Sequence, residues 1–490
     1  MNDTASPQKL SDAQPRPVNV PFDELEVGQT VTVERLCTQN DLIVFAHSSG
    51  NRNPLHLPTT DYTGDGVDDV PLAPSMWLAS LISAALGNHL PGPGSLYLSQ
   101  NLRFHARASV GDLLRISLKV LELREAREVL LATTVRSADD ALLVDGQASV
   151  RAPSRPLFLG DIDVPDLQVQ KHAHFDALLA RAQELPPMPV AVVAPDDPNS
   201  LGGALLARDE GLIKPILVGS RSRIAEAAGE LSISLQGIEL IDIEDEPTAA
   251  ARAVELVHQG AARAVMKGHL HTDHLLKHVL KSDGGLRTGK RISHVFVMDV
   301  PGRQSPILIT DAAINIAPDL KTKVHIVQNA IDLARAIGFD VPKVGILSAV
   351  ETVNPALPST IDAAVLSKMA DRGQITGGMV DGPLAMDNAV DIGAARTKGI
   401  TSLVAGYANV LVAPNLEAGN MLAKELTFLA NAEAAGLLVG ASVPVILTSR
   451  ADGDKARLAS CALAVLYEVW LRTGLPVAPG LFGAQDGDAS

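Results

Sequence analysis

Residues 189–195 read PVAVVAP, and the same kind of short β-branched run returns as PILVG at 215–219, ARAVMKG at 262–268, HVFVMDV at 294–300, KVGILSA at 343–349, GGMVDGP at 377–383, VLVAP at 410–414 and PVILTS at 444–449. Helical stretches separate them, and this alternation predicts parallel α/β units. About eight strands over about 300 residues exceed what one small sheet usually carries, so two α/β subdomains with a cleft are expected over 188–485. The most apolar stretch, AAGLLVGASVPVILTS at 434–449, is broken by glycines and a proline and is too short for a membrane span. It reads as a helix end, a turn and a buried strand.

Upstream the rhythm differs. Residues 102–152 show alternating apolar segments split by turn-like GD, REARE and SADD, as in antiparallel strands of a curled sheet. PSMWLASLISAALGNHL, 74–90, precedes them with proline at a first-turn position and Gly and Asn near its end, which predicts one long helix. A helix wrapped by a sheet follows for residues 21–152. Residues 153–187 read as a linker and leading helix with prolines at both ends, and the polar, proline-bearing residues 1–20 read as a disordered tail with no secretory h-region.

Composition narrows the function. The 490 residues are 46% apolar and 20% charged, with 41 basic and 56 acidic side chains giving a net charge of −15. That balance disfavours nucleic acid and anionic membranes as partners, and an acidic substrate needs a local basic pocket. Cys37 and Cys461 are the only cysteines, too few for a disulfide framework or thiolate metal site, which fits a reducing, cytoplasmic setting.

Ligands of doubly wound folds sit where strands end and helices begin. VAPNLEAGNMLAKE places Gly419 and Asn420 at an expected helix start, where free N–H groups favour an anion, with Lys424 one turn in; an ordinary glycine-containing helix start is the plain alternative. VILTSRADGDKAR follows a strand with Ser449, Arg450, Asp452 and Asp454. A hydroxyl and a guanidinium there suit a phosphate or acyl phosphate, or form a capping serine and a surface Arg–Asp pair. TDAAIN at 310–315 and VDGPLAMDNA at 380–389 add Asp311, Asn315, Asp381 and Asp387 as candidate bases, orienters or N-caps. HLHTDHLLKH holds His269, His271, His274 and His278. The His274/His278 spacing can bind a metal, but no HExxH glutamate accompanies it, and solvated or capping histidines are the expectation.

The ordered motifs MKGHLHTDHLL, RISHVFVMDVPG, ITDAAINIAPDL, GILSAVETVNPALPSTIDA, GQITGGMVDGPLAMDNAV, LVAPNLEAGNMLAKEL and VPVILTSRADG resemble the phosphate acetyl/butyryltransferase family over about residues 188–475. The resemblance implies two α/β subdomains, a homo-oligomer that is typically a dimer, and reversible acyl transfer between coenzyme A and phosphate, both as substrates, without a metal. It assigns Arg450 to phosphate binding and Ser449 to transition-state hydrogen bonding. For the thiol base it offers the aspartates after the SR pair, Asp452 and Asp454, whereas acetyl-specific members carry theirs further on, where this chain has Ala456 or a neighbour, and they carry an arginine where this chain offers Leu276 and Lys277. These departures move the likeness toward the butyryl branch.

The first 150 residues resemble a MaoC-like hotdog domain of the (R)-specific enoyl-CoA hydratase type, through DLIVFAHSSGNRNPLHL, PLAPSMW, LPGPGSLYLSQNLRF and VGDLLRISLKV. That family carries an aspartate where this chain has Asn51, keeps a histidine at His56, and carries His-Gly where this chain has Pro74 and Ser75. Asn51 cannot take a proton, so an impaired hydratase site is expected unless another group substitutes, Asp41 and Asp61 being near in sequence. Turn hydrogen bonds are the plain role of Asn51, Asn53 and His56. The layout resembles bifunctional enoyl-CoA hydratase/phosphate acetyltransferase chains. Full hydratase activity, or a non-catalytic acyl-CoA-binding or oligomerisation module, are the alternatives for the first half.

Overall fold

A computed structural model describes residues 18–57, 70–158, 172–447 and 453–482. The chain divides into two compact units, Met1–Val169 and Gln170–Ser490. Residues 1–17 of the expected tail and 159–171 of the expected linker lie outside the described residues.

In the first unit, strand β1 (Thr30–Leu36) is followed by helices α1 (Gln39–Ser49) and α2 (Ser75–Asn88), then by β2 (Leu96–Phe104), β3 (Leu113–Leu123), β4 (Glu128–Ser137) and β5 (Leu142–Arg151). The strands form one antiparallel sheet in the order β1-β3-β4-β5-β2. Leu114, Ile116, Leu118 and Val120 alternate into the core, as a pleated strand with one buried face requires. They join Trp77, Leu78, Ile82, Ala85 and Leu86 of α2 in one cluster, so the expected helix against a sheet is present. Residues 153–158 are no free linker. Asn19 donates to the Arg155 carbonyl and accepts from the Leu157 N–H, and the Val18 N–H donates to the Leu157 carbonyl.

The second unit begins with α3 (Ala173–Gln183) and runs through β6 (Met188–Val193), α4 (Pro198–Asp209), β7 (Ile213–Gly219), α5 (Arg221–Glu230), β8 (Glu239–Asp242), α6 (Glu246–His258), β9 (Ala264–Lys267) and α7 (Thr272–Val279). It continues with β10 (Ser293–Asp299), β11 (Ile307–Thr310), α8 (Leu320–Ala336), β12 (Lys343–Leu347), α9 (Pro358–Asp371), β13 (Met379–Leu384), the short α10 (Met386–Val390) and α11 (Ile392–Thr397), and β14 (Val410–Val412). The last elements are α12 (Leu416–Leu429), β15 (Glu433–Val439), β16 (Val445–Ile446) and α13 (Asp454–Thr473).

Two separate sheets do not form. One eleven-stranded sheet runs β13-β12-β14-β11-β10-β15-β16-β9-β6-β7-β8. Its two parallel groups, β13-β12-β14-β11 and β16-β9-β6-β7-β8, point in opposite directions because β10 and β15 pair antiparallel with each other and with their outer neighbours. The splice comes partly from EAAGLLV, expected as a helix end and found as β15. Alanine, glutamate and leucine favour helices in isolation, but seven paired residues against β10 override that preference. Among the described residues no helix is long and apolar enough to cross a membrane.

Candidate functional site

A single transverse row crosses the sheet through Ile346, Val412, Thr310, Val295, Leu437, Ile446, Met266, Val192, Leu217 and Leu240. β11, β14, β12, β16, β9 and β6 all end at or within one residue of this row. The loops that carry the motifs therefore leave the sheet from nearly one level, the two groups toward opposite edges. Three of these exits share one apolar cluster: Leu270 after β9, Ile314 after β11 and Leu447 after β16.

After β11 the chain wraps around Asp311, which is only 2% exposed. Its Oδ1 accepts the Ala313 and Ile314 N–H groups at 3.0 and 3.1 Å, and its Oδ2 accepts the Asn315 N–H at 3.1 Å and the Asn315 amide at 2.6 Å. The Asn315 amide also reaches the Ile292 carbonyl at 3.0 Å. Both oxygens of Asp311 thus organise its own loop, so it is an orienter in place rather than a free base.

Helix α12 starts at Leu416 with Asn415 as its cap, earlier than the sequence reading placed it. Gly419 and Asn420 therefore sit one turn in. The Gly419 N–H already bonds the Asn415 carbonyl at 3.2 Å, and the Ala418 N–H bonds the cap side chain at 2.9 Å. The anion-ready donors expected there are spent inside the helix. Gly419 is needed for close approach, since a Cβ would lie 2.7 Å from the Asp311 carbonyl oxygen, and the Asn420 amide bonds the Ala312 carbonyl at 3.1 Å. Lys424 is exposed.

Asp381 lies within β13, not after it, with its Oδ1 accepting the Gly382 N–H at 2.8 Å. Asp387 is the second residue of α10 and pairs with Lys398 at 3.1 Å; Lys398 also meets Glu351 at 3.2 Å. Hydrogen bonding from Lys398 holds the Asp387 carboxyl below its usual range, which marks an exposed ion cluster. Ser449, Arg450 and Asp452 lie outside the described residues. Asp454 is the exposed first residue of α13, where it lines a cavity of about 290 Å³ with Pro198, Asn199, Gly202 and Arg457.

A further constellation lies where β6 and β9 end. The side chain of Asp196, 6% exposed, accepts from Arg223 Nε at 2.9 Å on Oδ2 and meets His269 Nδ1 at 3.2 Å on Oδ1. The His269 N–H bonds the Ala194 carbonyl at 2.7 Å. A Cβ on Gly268 would lie 2.4 Å from both the Val193 and Ala194 oxygens, so only glycine lets β9 turn this tightly against β6. Ala194 adopts a left-handed φ of 49°, a non-glycine strain that concentrates at functional sites. The sequence reading grouped His269 with metal-type histidines and did not single out Asp196; the usable signal was a carboxylate directly after the run PVAVVAP. His274 instead meets Glu246 at 3.3 Å, and burial lowers the His278 imidazole.

His294, fully buried on β10, is pushed down to about 4 by desolvation against the opposing pull of Asp311. The unfolded chain therefore takes up a proton near pH 6.5 that the folded chain refuses until about pH 4. Stability present above pH 6.5 should fall as pH drops through that window, by up to about 1.4 kcal/mol per unit from this group. Urea midpoints at pH 7 and 5 check this: His294→Met should flatten the dependence, and an unchanged slope would refute the assignment.

In the first unit, the Asn51 Oδ1 accepts the Asn53 N–H at 3.2 Å, and the Asn53 Oδ1 accepts the Leu55 N–H at 3.2 Å. His56 is buried with Nδ1 2.7 Å from the Leu72 carbonyl. Nδ1 must carry its proton to make that bond, leaving Nε2 as the acceptor. Ser75 is the first residue of α2. Asp41 does not replace the missing carboxylate: it closes a capping box with Thr38 and pairs with Arg35 at 2.6 Å at the opposite end of α1 from Asn51, about 15 Å away along the helix. Asp61 lies outside the described residues.

Comparison with known proteins bears on the second unit. Residues 247–465 match the family described as Phosphate acetyl/butaryl transferase. A phosphate acetyltransferase of Rhizobium meliloti is 58% identical over 293 residues, 60% of this chain and 93% of that protein. A phosphate butyryltransferase of Clostridium beijerinckii is 45% identical over 293 residues, 60% of this chain and 97% of that protein. Among solved structures, a branched-chain phosphotransacylase of Enterococcus faecalis shares 32% identity with a TM-score of 0.51, covering 57% of this chain and 99% of that one.

Proposed function

The chain belongs to the phosphate acetyl/butyryltransferase family, and from that premise we propose that its second unit exchanges a short acyl group between coenzyme A and phosphate. The observation that carries this reading is the likeness to a phosphate acetyltransferase across 93% of that protein. The chemistry needs donors for the phosphate and for the oxyanion that develops at the acyl carbon. Arg450 supplies the paired donors and Ser449 the hydroxyl, both beyond the end of β16. The Asp311 loop and α12 meet at the end of β11, which lies across β10 and β15 from β16.

A panel of straight and branched acyl-CoAs, assayed for phosphate-dependent CoA release, tests the reading and ranks acetyl against butyryl. Release that ignores phosphate, or none with any thioester, would sink it.

For the first unit we propose a hydratase-type loop whose base is replaced. His56 keeps an acceptor nitrogen, but Asn51 offers no proton acceptor beside it. A positioned base is worth about 10²–10⁴ in rate, and crotonyl-CoA hydration should be slower than that of an intact hydratase by that order. Asn51→Asp preserves the acceptor for the Asn53 N–H and should raise the rate. Parent turnover within tenfold of an intact hydratase, or no gain in the variant, would reject the idea. Deleting residues 1–155 and measuring mass and acyltransferase rate tests the module alternative; unchanged mass and rate would eliminate it.

A further inference from the structure

We propose that His269 is the general base for the CoA thiol, with Asp196 as its positioning residue and Arg223 as the anchor of Asp196. This rests on the acyltransferase reading above and gives the thiol base a place other than Asp452 and Asp454.

The local geometry supports it. Asp196 and His269 are 73 residues apart in the chain, and β6 and β9 are neighbours in the sheet, so the fold itself brings them together at two adjacent strand ends. Asp196 spends one oxygen on Arg223 and the other on His269. An acceptor at Nδ1 fixes the tautomer with the proton on that nitrogen and leaves Nε2 as the proton acceptor. The His269 side chain is 41% exposed, and among the described residues its Nε2 has no partner. The backbone leading into it is held by the Gly268 and His269 N–H bonds to the Val193 and Ala194 carbonyls, so the imidazole is aimed from a fixed base.

Position relative to β16 is the second line of support. β16 pairs in parallel with β9, Val445 opposite Val265 and Ile446 opposite Met266, so the two chains leave the same edge side by side, about 5 Å apart. Past the segment outside the described residues, α13 begins against α4: Arg457 donates to the Asn199 carbonyl at 2.6 Å. Asn199 lies in the first turn of α4, which Asp197 caps. β16 and the start of α13 therefore each meet the elements that carry His269 and Asp196.

The step balances without a further reactant. His269 Nε2 takes the thiol proton as the CoA sulfur forms its bond to the acyl carbon. The bond from that carbon to the phosphate oxygen breaks, and the proton passes to the departing phosphate. In reverse, the imidazolium returns the proton to the CoA sulfur as phosphate attacks the thioester. The charged groups facing His269 are Asp196 and Asp197 after β6 and, through Asp196, Arg223 of α5. Lys267 precedes it on β9.

The full chain, assayed with butyryl phosphate or acetyl phosphate and CoA, tests the assignment. His269→Gln should lower kcat by about 10²–10⁴, leave KM for the acyl phosphate within about threefold, and remove the acid limb of the kcat/KM pH profile. Asp196→Asn should give a smaller loss with the same change of profile. Added imidazole should restore part of the rate of His269→Ala and nothing to the parent, a rescue that a merely structural histidine would not show. An active parent with a His269→Gln rate and profile unchanged, or a His269→Ala loss that imidazole fails to rescue, overturns the assignment alone. A parent inactive with every acyl phosphate overturns the acyltransferase reading and the assignment with it.

Discussion

Asp311→Ala should cost the protein about 3–5 kcal/mol of unfolding free energy, because three backbone N–H groups and one amide lose their acceptor in a site only 2% exposed. Each orphaned buried donor costs about 1–3 kcal/mol, and part of that sum is recovered as the loop relaxes and the amide keeps its bond to Ile292. Asp311→Asn retains one carbonyl acceptor for the loop and should lose roughly half as much. The damage should spread, since the Asn420 amide bonds Ala312 and Gly419 packs on the Asp311 carbonyl. Denaturant unfolding of both variants checks the ranking; an alanine variant within about 1 kcal/mol of the parent would show that the carboxyl group does not hold the loop.

Arg450→Ala should lower kcat/KM for phosphate-dependent CoA release by about 10²–10³, the size expected when a preorganised donor to a charged group is removed. A guanidinium that binds phosphate in the ground state raises KM for phosphate as well, whereas one that acts only on the transition state lowers kcat alone. Arg450→Lys should recover little, because a single ammonium cannot reproduce two parallel donors. Ser449→Ala should reduce kcat with KM near the parent value. Equal rates in Ser449→Ala, Arg450→Ala and the parent would remove both residues from the mechanism.

The parts of the fold that were legible are those with a local signature. The alternation of Leu114, Ile116, Leu118 and Val120 and the apolar face of α2 are periodic within a few residues, and the structure forms them as read. β8 and β15 were not read as strands, and β15 is held along its whole length by β10, more than one hundred residues upstream. The helix start at Asn415 was misplaced because Gly419 looks like a turn residue, while its real constraint is the Asp311 carbonyl more than one hundred residues upstream. His269 was weighed among its sequence neighbours His271, His274 and His278, none of which is its partner in the structure.

By itself the sequence determined that two units of different rhythm follow one another, where most strands and helices fall, and which motifs carry the family likeness. Periodicity, caps and motif order are properties of adjacent residues, so they survive without coordinates. Only the tertiary structure decided that the second unit has one sheet with a reversal at β10 and β15, that Asp311 is consumed by its own loop, and that Asp196 faces His269 across 73 residues of chain. Strand order and the neighbours it creates depend on pairings between distant segments, and no local pattern encodes which of two polar side chains the finished sheet will place side by side.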